Sequence, residues 1–399
     1  MPQQAGLDPA ARDARGARAA RRAVTLAFLA NGLAIPSLLV RVPDVRDLLA
    51  LREATLGLAL SGLAVGVITG LVLAGVLART QSSRRLTLGG ATAMLLILPL
   101  AGLASHLILL ILVALLLGTA SATMDVGMNA LGVGVEARYR RSLMLGFHGA
   151  WSVGALLAAL AGSLAMGAGV PVALHLAIVS VVILAAVVAA APALPVEDRT
   201  RVGEGPRFAL PRGPLLPLAL VALAAGLGES TGNDWSGIHL ADELSVGPGR
   251  VGWGLVALTA SMTVVRLTGD RVVRRVGPAR VVTSGGALAA AGFLTVAVSD
   301  ALPVTLGAFA AVGAGVGVSI PLVFAAAGAQ ADRPGQGVAA VATVGYAAFV
   351  LAPPTVGLIA DLAGLRVAFA LVALLIAVLT LRPHPALAPP AAASVSANA

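Results

Sequence analysis

Long apolar runs separated by short polar turns make up most of the chain. Many of these runs reach the roughly 18 to 20 residues that a helix needs to span a bilayer. Lipid offers no hydrogen bonds to backbone groups, so each spanning run must be helical. The pattern predicts twelve spans, at residues 23–40, 54–77, 86–104, 107–134, 143–167, 170–192, 214–235, 251–271, 279–298, 303–328, 336–362 and 365–381. The predicted fold class is therefore an all-α polytopic membrane protein.

The composition agrees with this class. Of the 399 residues, 58% are hydrophobic and only 11% are charged, which is too little charge to cover the surface of a soluble domain. Cysteine is absent, so thiol catalysis, disulfides and thiolate metal sites are excluded. No phosphate-binding loop, zinc-binding histidine motif or nucleophilic serine elbow is present either. We therefore expect no enzyme activity, no cofactor and no metal site.

The basic residues, all 27 of them arginine, predict the orientation. With a cytoplasmic N-terminus, 21 arginines fall in cytoplasmic segments and five in external ones. Because cytoplasmic loops carry the excess of basic residues, both termini are predicted to be cytoplasmic. Trp235 and Trp253 would then lie at the outer interface. The arginines are spread over short loops, so we expect lipid rather than nucleic acid as their partner.

An internal repeat predicts two halves. A shift of 195 residues maps spans one to six onto spans seven to twelve. The matched pairs include Gly57 with Gly252, Arg85 with Arg280 and Gly118 with Gly313. The predicted domains are a basic cytoplasmic N-tail at 1–22, a six-helix half at 23–192, a cytoplasmic linker at 193–213, a second half at 214–381 and a disordered cytoplasmic C-tail at 382–399. Two parallel six-helix halves are an architecture of secondary transporters.

The chain resembles a known family over nearly its whole length, and five stretches carry this resemblance. They are "RVP" at 41–43, "MDVGMNALGVGVE" at 124–136, "SLMLGFHGAWSVG" at 142–154, "NDWSGIHL" at 233–240 and "RLTGDRVVRRVG" at 266–277. With these stretches the chain resembles the major facilitator superfamily, and within it the MosC-like branch of bacterial inner-membrane proteins. The resemblance implies the major facilitator fold, with two pseudo-symmetric halves, and a transporter whose cargo it does not name.

The loop after span two departs from the superfamily pattern. That loop usually reads G-x-x-x-D-R-x-G-R-R, but here Arg79 stands at the acidic position and Ser82 at the second glycine. The equivalent loop of the second half has Arg274 at the acidic position. Because arginine replaces the acidic residue in both loops, the ion pairing that this acidic residue makes in the superfamily is not expected at these positions. Glu136 and Asp270 remain as candidates for pairing on the cytoplasmic side.

Span four carries an acidic residue deep in its apolar run. Asp125 lies roughly 27 Å from Leu107 by helical rise, and Asn129 follows one turn later. With small residues such as Gly118 they form one small and polar face. An ionised carboxylate there costs about 3 kcal/mol, so Asp125 must hold a proton or pair with a cation. Either it locks the helix bundle, or it carries a proton or grips a substrate.

Span five places His148 and Trp151 on one face, with Trp151 close to the depth of Asp125. The imidazole could relay protons to the carboxylate, since histidine titrates near neutral pH. The indole could stack on a sugar ring or another aromatic cargo. The alternative is a satisfied histidine and a packed indole.

Span seven carries the second acidic site, "GESTGNDWSG". Glu229 is predicted toward the outer side, roughly 9 Å inside Trp235. Asn233 shares its face one turn on. Asp234 is expected to be a solvated helix end or a gate residue. Asp125 and Glu229 would then occupy opposite halves and opposite depths, which suits the hand-over of a proton or substrate.

Two further polar residues are candidate cavity liners. Asn31 precedes Gly32 and Pro36, a combination that can interrupt a helix and expose carbonyl groups to a cavity. Tyr346 lies in span eleven, just before the "LAPPTVG" stretch that is expected to kink this helix.

Two arginines are candidates for gates or structural ion pairs. Arg41, at the outer end of span one, is predicted to pair with Asp44 or with Asp234. Arg266 lies one turn before Asp270, so a local ion pair is expected there.

Three functional hypotheses remain. The first is a secondary active transporter that moves a small molecule, such as a sugar-like or polar metabolite, by alternating access with proton coupling. The second is a drug/proton antiporter that exports lipophilic compounds, which the absence of proline from "FHGAWSVGALLAALAG" disfavours. The third is a non-transporting membrane sensor. The expected partners are a small-molecule substrate, protons and the lipid bilayer, and the chain is expected to be a monomer.

Overall fold

The computed structural model describes residues 9–139, 143–196, 210–331, 334–382 and 387, and their secondary structure is helical without strands. The helices are α1 Pro9–Leu39, α2 Val42–Leu48, α3 Glu53–Leu77, α4 Ser83–Ile97, α5 Leu107–Tyr139, α6 Met144–Gly167, α7 Val172–Ala190, α8 Leu215–Asp242, α9 Pro248–Val251, α10 Trp253–Val276, α11 Pro278–Val298, α12 Leu302–Val316, α13 Ser319–Gln330, α14 Pro334–Ala363 and α15 Leu365–Thr380. In this described part, eleven helical segments are long and apolar enough to cross a membrane, and α15 is a shorter apolar helix. The predicted all-α fold with twelve spans is confirmed.

The chain divides into two compact units. The first comprises Met1–Val202 and Leu240–Val256, and the second comprises Gly203–His239 and Ala257–Ala399. The end of α8, all of α9 and the start of α10 therefore pack with the first unit. Most of the predicted linker and of the predicted C-tail lies outside the described residues, whereas residues 9–22 of the predicted N-tail belong to α1.

Glycines bring α3 and α5 into backbone contact in the first unit. A Cβ atom at Gly118 would lie 2.1 Å from the carbonyl oxygen of Leu63, and one at Gly66 would lie 2.1 Å from that of Leu115. Gly70 meets the backbone of Thr119 in the same way. No side chain fits between these helices. The glycines at 66 and 70, four residues apart, therefore allow α3 and α5 to pack closely.

The second unit repeats this crossing. A Cβ atom at Gly313 of α12 would lie 2.2 Å from the carbonyl oxygen of Leu258 of α10. Glycine and carbonyl are each displaced by 195 residues from Gly118 and Leu63. The offset read from the sequence therefore also relates one close backbone contact in the first unit to one in the second.

Three differences from the predicted helices bear on candidate site residues. The span predicted at 303–328 is interrupted, because α12 ends at Val316 and α13 begins at Ser319. The interruption predicted at Asn31 is wrong, since α1 is continuous through this residue and has Pro36 inside it. Helix α8 continues seven residues beyond the predicted end of span seven, to Asp242. Each difference changes the surroundings of a candidate site residue.

Candidate functional site

A polar network joins three helices of the first unit. The indole Nε1 of Trp151 donates a hydrogen bond of 2.9 Å to Oδ1 of Asn31. The amide nitrogen of Asn31 lies 3.4 Å from both the carbonyl oxygen and the hydroxyl oxygen of Ser121. Asn31 is buried, with 5% of its surface exposed, whereas Trp151 is half-buried. Asn31 therefore links α1 to α5 and α6 and fixes the edge of the indole ring.

Asp125 lies on α5, one turn beyond Ser121. The amide nitrogen of Asn129 donates to Oδ1 of Asp125 at 3.1 Å and to its carbonyl oxygen at 2.9 Å. Both residues are half-buried. Asp125 takes part in none of the salt bridges found among the described residues. It is thus a carboxylate inside a span with an amide donor and no cation partner.

His148 of α6 has an aromatic neighbour on α1. Its imidazole packs edge-on against Phe28 with 5.1 Å between ring centroids, and Phe28 stacks on Phe147. The side chain of His148 is exposed. The donor that reaches the carboxylate of Asp125 is Asn129. The relay through His148 remains a prediction.

The second unit contains a paired carboxylate. Nη2 of Arg266 lies 3.3 Å from Oε2 of Glu229, and Nε of Arg266 donates to the carbonyl oxygen of Gly317 at 3.0 Å. Gly317 lies at the interruption between α12 and α13. The arginine therefore connects α8 and α10 to the carbonyl at the broken helix. The side chain of Asp270, the predicted partner of Arg266, lies outside the described part of the structure.

The extended α8 corrects the predicted depths. Glu229 lies about 21 Å from Leu215 and about 20 Å from Asp242 by helical rise, near the middle of the helix. The predicted position of Glu229 toward the outer side is therefore wrong. Trp235 is fully buried, so its predicted position at a lipid interface is also wrong, whereas Trp253 is 44% exposed at the start of α10.

Asp234 is also not the solvated helix end that the sequence predicts. It lies about 12 Å before the end of α8 by helical rise. The hydroxyl of Ser230 donates to its carboxylate at 2.8 Å, and Asp234 and its neighbour Asn233 are both half-buried. Asp234 is therefore a second carboxylate within a helical span, in the second unit. The polar run lowered the apparent hydrophobicity of α8 and concealed its last two turns.

Arginines at one end of the first unit form ion pairs outside the spans. Arg41 binds Asp44, one of its two predicted partners, and also donates to the carbonyl oxygen of Val170 at 2.7 Å. Arg46 binds both carboxylate oxygens of Asp242, one of them at 2.9 Å. Hydrogen bonding to Asp242 raises the pKa of Arg46 above its ordinary value, although burial opposes this, and Arg46 remains charged.

Glu136 and Tyr346 complete the set of predicted residues. The carboxylate of Glu136 accepts hydrogen bonds from the backbone N–H groups of Leu143 and Met144, at 2.6 and 2.9 Å, and so caps the start of α6. This contact satisfies two of the backbone N–H groups at the start of α6. Tyr346 of α14 is 40% exposed. Trp151 and Tyr346 are separated by the repeat offset of 195 residues, so each unit carries one aromatic side chain at this position.

Several partners in these networks were not predicted from the sequence. Ser121, Ser230 and Gly317 supply a hydroxyl or a carbonyl group, and residues of these types leave no pattern that separates them from packing residues. Asp242 could have been noticed as an acidic residue just after a long apolar run. Its partner Arg46 is 196 residues away, and only the folded chain brings the two together.

Comparison with known proteins supplies the family context. Residues 218–397 match the family model described as Major Facilitator Superfamily. The chain is 32% identical to an uncharacterized transporter of Sinorhizobium fredii over 88% of this chain and 94% of the relative. It is also 32% identical to an uncharacterized MFS-type transporter of Yersinia pestis, over 88% of this chain and 91% of that protein. The membrane protein MosC of Rhizobium meliloti is 28% identical over 86% of this chain and 84% of MosC.

Two solved structures share the fold. The nucleoside transporter NupG superposes with a TM-score of 0.72 at 15% identity, covering 92% of this chain and 97% of NupG. A bacterial homolog of the human lysosomal transporter Spinster gives 0.74 at 13% identity, covering 94% of this chain and 96% of that one. At these identities the likeness concerns the fold alone.

Proposed function

Because the chain belongs to the Major Facilitator Superfamily of membrane transporters, as its resemblance to MosC-like proteins predicts, we propose that it is a proton-coupled secondary active transporter of a small polar metabolite. It would work by alternating access, in the plasma membrane of a bacterium with both termini cytoplasmic. The arginine distribution along the chain supports this orientation.

The observation that carries the proposal is the environment of Asp125. Keeping a charged side chain at the centre of a span costs about 3 kcal/mol on insertion scales. Glu229 reduces this cost through Arg266, whereas the partner found for the carboxylate of Asp125 among the described residues is the amide of Asn129. Protonation removes the charge and its cost, so uptake and release of a proton at Asp125 can accompany a conformational change. Asp234, held by Ser230, is the equivalent candidate in the second unit.

The substrate class is inferred from the neighbouring side chains. The hydrogen bond to Asn31 fixes the edge of the Trp151 ring, which leaves a rigid and half-buried aromatic face. Ligand sites combine such apolar faces with a few placed polar groups. Asn129 supplies an amide next to Asp125, and this combination suits a ring-bearing polar molecule such as a sugar derivative.

Flux measurements in proteoliposomes with an imposed pH gradient test the proposal. The substrate panel contains radiolabelled sugars, polyols, nucleosides and lipophilic cations. We expect gradient-driven uptake of a polar compound by the wild type. The Asp125→Asn variant should lose gradient-driven uptake but keep substrate exchange without a gradient. Asp300→Asn is the matched control, because the carboxylate of Asp300 is 82% exposed in a surface pair and should not affect flux.

Each alternative predicts a different result. Wild-type rates of gradient-driven uptake by Asp125→Asn would remove this residue from proton coupling. Flux of lipophilic cations alone would indicate a drug/proton antiporter. Absence of flux across the whole panel, with the protein folded, would contradict transport of these classes and favour a sensor.

A further inference from the structure

A groove of about 360 Å³ runs along α4 between α3 and α5, entirely within the first compact unit. Most of the side chains that line it are apolar, among them Leu73 and Leu77 from α3, Ala93 from α4 and Leu116 from α5. Leu73 and Leu116 expose 41% and 49% of their surfaces. The groove is therefore open and apolar, and it lies on the side of a membrane-spanning bundle.

Two adjacent glycines shape this groove. A Cβ atom at Gly90 would lie 2.5 Å from the backbone nitrogen of Met124, so Gly90 brings α4 against α5. A Cβ atom at Gly89 would meet nothing within 4 Å. One glycine thus closes the helix crossing, and its neighbour leaves the space beside the crossing open.

Positive charge lies at one end of the groove. The guanidinium of Arg85 is exposed and donates to the side-chain oxygen of Gln81 at 3.2 Å, and both residues line the groove. Arg79 and Arg84 belong to the same turn and the start of α4. These three arginines take part in none of the salt bridges found among the described residues. Glu136, the acidic residue toward the same end of α5, accepts hydrogen bonds from the backbone at the start of α6. The end of the groove is therefore suited to an anion.

The length of the groove matches one leaflet of a bilayer. From Arg85 to Ile97, which also lines the groove, α4 rises about 18 Å. Half of the hydrocarbon core is about 15 Å thick. We propose that this groove binds an anionic phospholipid, with one acyl chain along α4 and the phosphate at Arg85. Attraction between arginines and anionic headgroups contributes about 1 kcal/mol for each residue near the surface.

Native mass spectrometry of the full chain in detergent tests this proposal. The probes are phosphatidylglycerol and phosphatidylcholine with identical acyl chains. We expect the wild type to retain one phosphatidylglycerol at concentrations where phosphatidylcholine is lost. Gly89→Leu should weaken retention of phosphatidylglycerol at least tenfold, because Gly89 lines the groove and its Cβ position has open space around it, so that the new side chain can occupy the groove. Gly307→Leu is the matched control, since Gly307 of α12 also has nothing within 4 Å of its Cβ position.

A second variant tests the headgroup separately from the acyl chain. Arg85→Gln should reduce the preference for phosphatidylglycerol over phosphatidylcholine by about fivefold, which is the effect of about 1 kcal/mol. Arg85 is exposed, so this substitution should leave the melting temperature unchanged. The proposal is overturned if Gly89→Leu retains lipid as the wild type does, if Gly307→Leu loses as much lipid, or if Arg85→Gln keeps the full headgroup preference.

Discussion

Removal of the charge on Glu229 should destabilise the second unit by a measurable amount. Removing one partner of a fully buried ion pair costs about 3–5 kcal/mol, whereas exposed pairs contribute about 0–1 kcal/mol. Glu229 is 14% exposed and Arg266 is 27% exposed, so their pair lies between these limits. We expect Glu229→Gln to cost about 2 kcal/mol. For a unit of this size that corresponds to a melting temperature lower by about 4–8 °C.

Arg266→Gln should cost more than Glu229→Gln. It removes the same ion pair and also the hydrogen bond from Nε to the carbonyl oxygen of Gly317, which leaves that carbonyl at the helix interruption without its charged donor. Hydrogen bonds to charged groups contribute about 1.5–3 kcal/mol. The double variant should be about as unstable as Arg266→Gln alone, because the carboxylate has no further cation to lose.

Thermal unfolding of the four proteins in one detergent completes this double-mutant cycle. The expected coupling energy between the two side chains is about 1–2 kcal/mol. The exposed pair of Asp300 and Arg366 gives a matched control cycle, with a coupling of about 1 kcal/mol at most. If the losses of Glu229→Gln and Arg266→Gln add to within about 0.5 kcal/mol, the pair does not hold these helices together and the reasoning is refuted.

Two further predictions concern packing and the end of α8. Gly118→Ala should lower the melting temperature, since overpacking costs about 1–3 kcal/mol, whereas Gly307→Ala should leave it unchanged or raise it; equal melting temperatures would contradict the proposed crossing. Asp242→Asn should speed amide hydrogen exchange in residues 240–256 about fivefold relative to α11, because Arg46 loses a charge partner worth about 1 kcal/mol at this partly exposed site. Unchanged exchange in that segment would show that the ion pair does not hold it.

The sequence was sufficient for the all-helical class and the number of membrane spans, because the membrane requires long apolar runs and closed backbone hydrogen bonding. It failed at the end of α8, where inward-facing polar residues such as Asp234 resemble a helix terminus in a hydropathy profile. Buried Trp235 was misplaced for the same reason. Residue type and local spacing carry no information on which neighbouring helix a polar face meets.

The candidate site shows the same limit. Spacing predicts a local pair between Arg266 and Asp270, whose side chain lies outside the described residues, but it gives no sign of the contact between Arg266 and Glu229, 37 residues earlier in the chain. The intrahelical contact between Asp125 and Asn129, by contrast, follows from their spacing of four residues. Contacts within one helix were therefore accessible from the sequence, and contacts between helices required the fold.

At two helix crossings a glycine meets a leucine carbonyl oxygen: Gly118 meets Leu63, and Gly313 meets Leu258. These contacts allow the two halves of the chain to be compared directly. Few residues are identical after the 195-residue shift, but each crossing has a glycine in contact with the carbonyl oxygen of a leucine. Substitution of either glycine by alanine therefore adds the same methyl group at the equivalent helix crossing of each half. A difference between the two changes in melting temperature would measure how differently the halves tolerate the same substitution, and no second protein is needed for the comparison.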